Sequence, residues 1–166
     1  MLSLIGLTIS LSFNIENESD DAFRKLKLLR LKALKLNVIG RLYEWDLTGI
    51  VDCNKTKIKY LGIAKTSQNK NYKILTSFFV QGNSCRGTSR IVIYDTSNNY
   101  IGNYYVGMPD NLPDTLVASK LIYFAKNADC KFRNGKSISL VEGLPQSIYI
   151  PCEEENGESF VFSSIE

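Results

Sequence analysis

Downstream of residue 43 the chain repeats one pattern. Short runs rich in Ile, Val, Tyr and Phe alternate with polar clusters of Asn, Asp, Gly and Ser. The clearest instance is 89–106. Two apolar runs there, RIVIY (90–94) and YIGNYYV (100–106), flank DTSNN (95–99). β-Branched and aromatic side chains suit a pleated surface, and Asp and Asn tolerate the left-handed backbone that reverses a chain, so the stretch predicts a hairpin. Further runs at 44–52, 57–65, 72–81, 120–125, 137–141, 147–150 and 159–163 extend the series. No helix-length segment separates them. The fold class expected is mainly β: an antiparallel β-sandwich or barrel of about 8–9 short strands with one N-terminal helix. Strand 90–94 is apolar on both faces, Ile91 and Ile93 against Val92 and Tyr94. A second sheet on one face and the helix on the other would satisfy both.

The N-terminal part reads differently. Residues 1–13, MLSLIGLTISLSF, form the most continuous apolar run, too short for the ~20 residues of a bilayer span. It has the length of a signal-peptide apolar region but lacks a preceding cation and a following small-x-small site. Leu7, Ile9, Leu11 and Phe13 alternate with Thr8, Ser10 and Ser12, the pattern of a strand. The segment 1–18 is therefore read as a signal remnant or a strand. Segment 19–40 reads as a basic amphipathic helix, capped by Ser19 or Asp20 and stopped by Gly40, with Leu26, Leu29, Ala33 and Leu36 on one stripe. Such a helix either lies on a membrane or acidic partner or packs across the β body with its lysines at the rim, and the second reading is preferred. Residues 41–166 form the β domain.

Composition narrows the field of functions. At 166 residues and 44% hydrophobic content, the chain is long enough for one well-cored domain. Net charge is +3, but residues 20–41 carry seven basic and two acidic groups, leaving the rest net acidic. A nucleic-acid binder shows its basic footprint on the folded body, so no nucleic-acid partner is expected. Histidine is absent. That removes the commonest general base and neutral metal ligand and every Ser-His or Cys-His pair.

The four cysteines, Cys53, Cys85, Cys130 and Cys152, sit in polar turns at strand ends. With no Cys-x-x-Cys and no histidine, zinc is not expected, and an even number in loops favours disulfides and hence a periplasmic or secreted location. If strands simply reverse, two strands separate Cys53 from Cys85 and two separate Cys130 from Cys152. Parity then pairs Cys53 with Cys85 and Cys130 with Cys152, the two pairs at opposite ends of the body.

Phosphate-cradling and nucleophile-elbow motifs are missing from the sequence. The run 82–87, GNSCRG, could hold an anion through Arg86, but a turn carrying a disulfide explains it better. Loop 108–114, MPDNLPD, is a crossing between sheets or a recognition edge. The acidic residues Glu153, Glu154 and Glu155 read as a solvated hairpin loop. Glu44, Asp46, Asp52 and Asp95 are the carboxylates a small hydrolase would draw on. The excess of tyrosine points elsewhere: Trp45, Arg86, Tyr104 and Tyr105 are the contact residues expected of a binding face. The function expected is a non-catalytic, disulfide-stapled extracytoplasmic module with a protein partner and no cofactor or metal. A small bacterial protein that neutralises a toxin or hydrolase is one such type. The alternatives are a β-barrel carrier of a small apolar ligand and a carboxylate-based hydrolase.

Overall fold

The computed structural model describes residues 12–50, 53–81, 85–124, 126, 130, 133–152 and 156–165. The expected signal remnant or strand at 1–11, and the acidic residues 153–155, lie outside them. Among these residues one α-helix, α1 (Ser12–Leu36), precedes ten strands. The strands are β1 (Leu42–Trp45), β2 (Thr56–Lys65), β3 (Asn71–Gln81), β4 (Arg86–Tyr94), β5 (Tyr100–Gly107), β6 (Thr115–Val117), β7 (Lys120–Tyr123), β8 (Lys136–Ser139), β9 (Ser147–Pro151) and β10 (Gly157–Ser163).

Helix α1 is longer at its start than the capping residues suggested, because nothing between Ser12 and Ala22 breaks a helix. Ser19 and Asp20 are therefore no caps but lie within the helix, and Asp21 pairs with Arg24 and Lys25 one turn on, both at 2.7 Å. The helix stops before Gly40. Asn37 takes the left-handed conformation (φ 52°) and its N–H donates back to Ala33 O at 3.2 Å, which closes the last turn.

All strand pairing is antiparallel. Seven strands form one sheet in the order β1-β2-β3-β4-β5-β10-β9, and β6-β7-β8 form a second. The seven-stranded sheet is open, with β1 and β9 at its edges, so no barrel closes. The central hairpin β4–β5 turns where expected. Asn98 is left-handed (φ 67°), Asp95 accepts from the Asn99 N–H at 2.8 Å, and Lys73 Nζ donates to Thr96 O and Asn98 Oδ1. Strand β1 ends at Trp45 rather than running on to residue 52. Asp46 Oδ1 accepts from the backbone N–H of Thr48 and Gly49 and bends the chain there.

Two cores result, one on each face of the large sheet. Toward the small sheet, Ile91, Ile93, Ile74, Tyr104 and Val106 pack with Leu121, Tyr123 and Leu140. Toward α1, Val92, Tyr94, Leu75, Phe79, Ile58 and Tyr60 pack with Leu26, Ala33 and Leu34. The two-faced reading of 90–94 holds residue by residue. The helix lies over β2 and β3. Its Arg30 is buried in that seam and donates through Nε to Ser77 Oγ at 3.2 Å.

Both disulfides form between the expected pairs, Cys53–Cys85 and Cys130–Cys152. Their placement differs from expectation. The strand registers put the starts of β2, β4 and β10 and the end of β9 at one end of the large sheet, so both bridges lie at that same end. The cause is β6, a strand the sequence pattern did not predict. Four strands, not three, separate Cys85 from Cys130. With all four cysteines at one end, parity no longer chooses among the three pairings: the observed pairs agree with the expectation, but the opposite-end argument behind it does not hold.

Strand β6 is hidden by its turn. Ala118 (φ 46°) and Ser119 (φ 60°) make a two-residue hairpin with both residues left-handed, a turn that ordinarily calls for Asn-Gly. A tertiary contact holds it. Ser119 Oγ accepts from Lys65 N–H at 2.8 Å and donates to Lys65 O at 2.9 Å, stitching the turn to the end of β2.

Candidate functional site

The four expected contact residues do not meet. Trp45 is half-buried on edge strand β1, stacked on Tyr43 (ring centroids 5.7 Å apart) and packed against the helix-side core. It lies four strands from β5, about 19 Å at the usual strand spacing. Arg86 is exposed at the start of β4, next to bridged Cys85, four residues from the point where Arg90 pairs with Tyr105. Tyr104 is fully buried: its ring meets Phe162 edge-on and its hydroxyl donates to Pro145 O at 2.6 Å. It is a core residue, not a surface contact. Adjacent strand residues point to opposite faces, so Tyr104 and Tyr105 could never have shared one. Tyr105 is the one outside, 51% exposed, with the Arg90 guanidinium 5.4 Å from its ring centre.

Tyr105 belongs to a face the sequence reading did not assemble. Helix α1 lies over β2 and β3, on the side of the sheet that also carries the outward residues of β5, β10 and β9. On β10, Phe160 and Phe162 turn toward the inter-sheet core, which sends Val161 the other way. On β9, Ile148 and Ile150 do the same and send Tyr149 outward. Register aligns Arg90 with Tyr105, and Tyr104 with Phe162, so Arg90, Tyr105 and Val161 form one row across three strands. Tyr149 stands on the adjoining edge strand. Val161 is 65% and Tyr149 50% exposed. The period-2 alternation of SIYIP (147–151) and FVF (160–162) was the available signal.

The backbone beneath this face is tightly fitted. A Cβ on Gly157 would lie 2.5 Å from Tyr149 Cζ and Oη and 2.6 Å from Ile150 O. The Tyr149 ring therefore rests directly on the β10 backbone, which fixes where it points.

A second polar cluster lies at the bridged end. Three cations converge on backbone carbonyls of the loop between β5 and β6: Lys59 Nζ donates to Asp114 O, Lys126 Nζ to Leu112 O, and Arg133 to Asp110 O, at 2.8, 2.7 and 2.6 Å. Arg133 is buried and also holds Pro151 O at 3.2 Å, so it clamps that loop to β9. Burial lowers the Lys126 pKa, against the opposing pull of Asp114 and Asp110. Loop 108–114 is thus a fastened crossing between the sheets, its cations committed to main-chain oxygens.

The carboxylates are dispersed. Glu44 pairs with Lys57 at 3.3 Å. Turn hydrogen bonds hold Asp46 and Asp95 below the ordinary carboxylate range, from Gly49 and Thr48 N–H for Asp46 and from the Asn99 side chain and N–H for Asp95. They sit at opposite ends of the large sheet, on the order of 30 Å apart given the length of β3. That is far beyond the ~5–10 Å of a glycosidase pair. Asp52, and residues 82–84 of the glycine-bounded run, lie outside the described residues. Among the described residues, no group of three or more His, Cys, Asp or Glu is placed to hold a metal ion, and no helix is long and apolar enough to cross a membrane.

Comparison of the chain with protein-family models, with curated proteins and with solved structures found no match. The functional reading therefore rests on the surface itself.

Proposed function

We propose that this disulfide-stapled β domain is a non-catalytic protein-binding module, and that its partner sits on the half of the large sheet's helix side that the described residues leave open. The observation that carries the reading is the row Arg90, Tyr105 and Val161, with Tyr149 beside it, displayed on paired strands rather than on a loop. Tyrosine and arginine are the side chains that concentrate binding energy at interfaces, and here a guanidinium already lies over an aromatic ring. Each side chain is held by strands whose other face is buried core. A partner therefore orders little on binding, which is how a small rigid surface gains affinity. The mode of action is occlusion: the domain covers a site on its partner. Two disulfides fit an extracytoplasmic compartment for this activity.

The barrel-carrier alternative fails on topology, since the sheet does not close and the two layers bury a shared side-chain cluster between them. The test of the binding reading is native co-purification from the source cells. Tyr105→Ala combined with Tyr149→Ala should abolish recovery of a stoichiometric protein partner, while alanines at Glu153, Glu154 and Glu155 should leave it intact. Equal recovery with both sets of variants would overturn the assignment of this face.

A further inference from the structure

The outward side of α1 is a separate surface, and its chemistry differs from that of the sheet face. The buried side of the helix is spent on the sheet through Leu26, Arg30, Ala33 and Leu34. Arg24, Lys25, Lys27, Lys32 and Lys35 are exposed, and Arg41 follows just past the helix. From residue 22 to residue 43 there is no carboxylate. Asp21, paired with Arg24 and Lys25, is the nearest on the N-terminal side, and Glu44, paired with Lys57, on the other. Exposed aliphatic side chains accompany these cations: Leu28 and Leu36 on the helix and Val38 just past its end.

From this we infer that α1 docks the domain on an anionic lipid surface. Charge complementarity requires an anionic occupant, and the accompanying side chains select its kind. Lysine is depleted at protein–protein interfaces, where aromatic residues and arginine are enriched, whereas lysine stems flanked by aliphatic residues suit a headgroup layer. Single-stranded nucleic acid calls for a series of aromatic platforms, and the one exposed aromatic of the described helix side chains, Phe23, is packed against Phe79 with ring centroids 5.2 Å apart. Attachment is peripheral: phosphate oxygens meet the ammonium and guanidinium groups, and the aliphatic side chains enter the headgroup boundary. The surface is distinct from the Tyr105 row, so variants in one leave the other intact.

The experiment is vesicle co-sedimentation of the full chain, comparing phosphatidylcholine vesicles with vesicles containing 30% phosphatidylglycerol. Binding is expected only to the anionic vesicles, and it should weaken steeply as salt rises and shortens the screening length. Lys32→Gln with Lys35→Gln should lower the partition coefficient roughly 25-fold, about fivefold per charge removed. Lys120→Gln with Lys136→Gln, exposed positions on the small sheet, removes equal charge and should change it less than about threefold. Near-ultraviolet circular dichroism reports that both variants keep the native packing. Equal binding to the two kinds of vesicle, no binding to either, or equal losses in the two variants would each overturn the inference. So would binding to a 20-base-pair DNA duplex as tight as to the anionic vesicles.

Discussion

Removing one disulfide by Cys53→Ser with Cys85→Ser should cost this domain about 3.7 kcal/mol. The figure follows from the 32-residue separation of the bridged cysteines through the loop-closure entropy the bridge denies the unfolded chain. The same relation gives about 3.4 kcal/mol for Cys130–Cys152, separated by 22 residues. Both pairs serve loops at one end of the large sheet, so the cost arises chiefly in the unfolded state. Native stabilities of ~5–15 kcal/mol mean that either single-bridge variant folds, whereas loss of both, about 7 kcal/mol, brings the domain close to its limit. Urea unfolding of the oxidised protein and the two single-bridge variants, followed by tryptophan fluorescence and far-ultraviolet circular dichroism, measures the losses. Each variant should also show a larger denaturant slope, since its unfolded chain expands further. Losses below ~1 kcal/mol, with slopes unchanged, would refute the reasoning and place the bridges outside the cooperative unit.

Other consequences are narrower. Gly102→Ala should destabilise by about 1–3 kcal/mol, read by thermal unfolding, because its Cβ would fall 2.2 Å from Phe162 Cζ and 2.6 Å from Ser163 O in the β5–β10 seam. Ala118→Gly should stabilise by about 1 kcal/mol in the same assay by relieving a left-handed alanine. Arg133→Met should cost about 2–4 kcal/mol by leaving Asp110 O and Pro151 O without their donor, with faster amide exchange at Asn111 and Leu112 as the local signature. Burial raises the hydroxyl pKa of Tyr60, Tyr104 and Tyr123 above the ordinary 10.0, so the unfolded chain releases those protons first. Stability is therefore present below pH 10 and falls as pH rises past it. Absorbance near 295 nm should show these three of the nine tyrosines ionising at higher pH in the folded protein than in the unfolded chain.

Much of the architecture is legible in the residues. The β4–β5 hairpin announces itself through β-branched runs around DTSNN (95–99), and the two-faced run 90–94 implies a covering layer on each side. The cysteine pairs are the expected ones, although the reversal count that chose them missed β6 and so put the two bridges at opposite ends. Strand β6 escapes because Ala118 and Ser119 carry no turn signature of their own; a contact with Lys65, 54 residues away, stabilises that turn. The end of α1 escapes for a related reason, since an asparagine does at residue 37 what a glycine does more often. The candidate face was half visible. Tyrosine content drew attention to residues 104 and 105, but content has no direction, and only the register with β10 shows which of the two faces outward. Tyr149 and Val161 become neighbours of Tyr105 because β9 and β10 return beside β5 after an excursion through a second sheet, a connection no local pattern encodes.

The assignment of the half-sheet around Tyr105 and Tyr149 as the seat of a protein partner is tested most directly by site-specific photocrosslinking in the source cells. Benzoylphenylalanine would replace Tyr149 in one variant, Tyr105 in a second and Lys136, on the small sheet, in a third. The account predicts one discrete heavier product from positions 149 and 105 and none from position 136. No product from the two tyrosine positions, or the same product from all three, would contradict it.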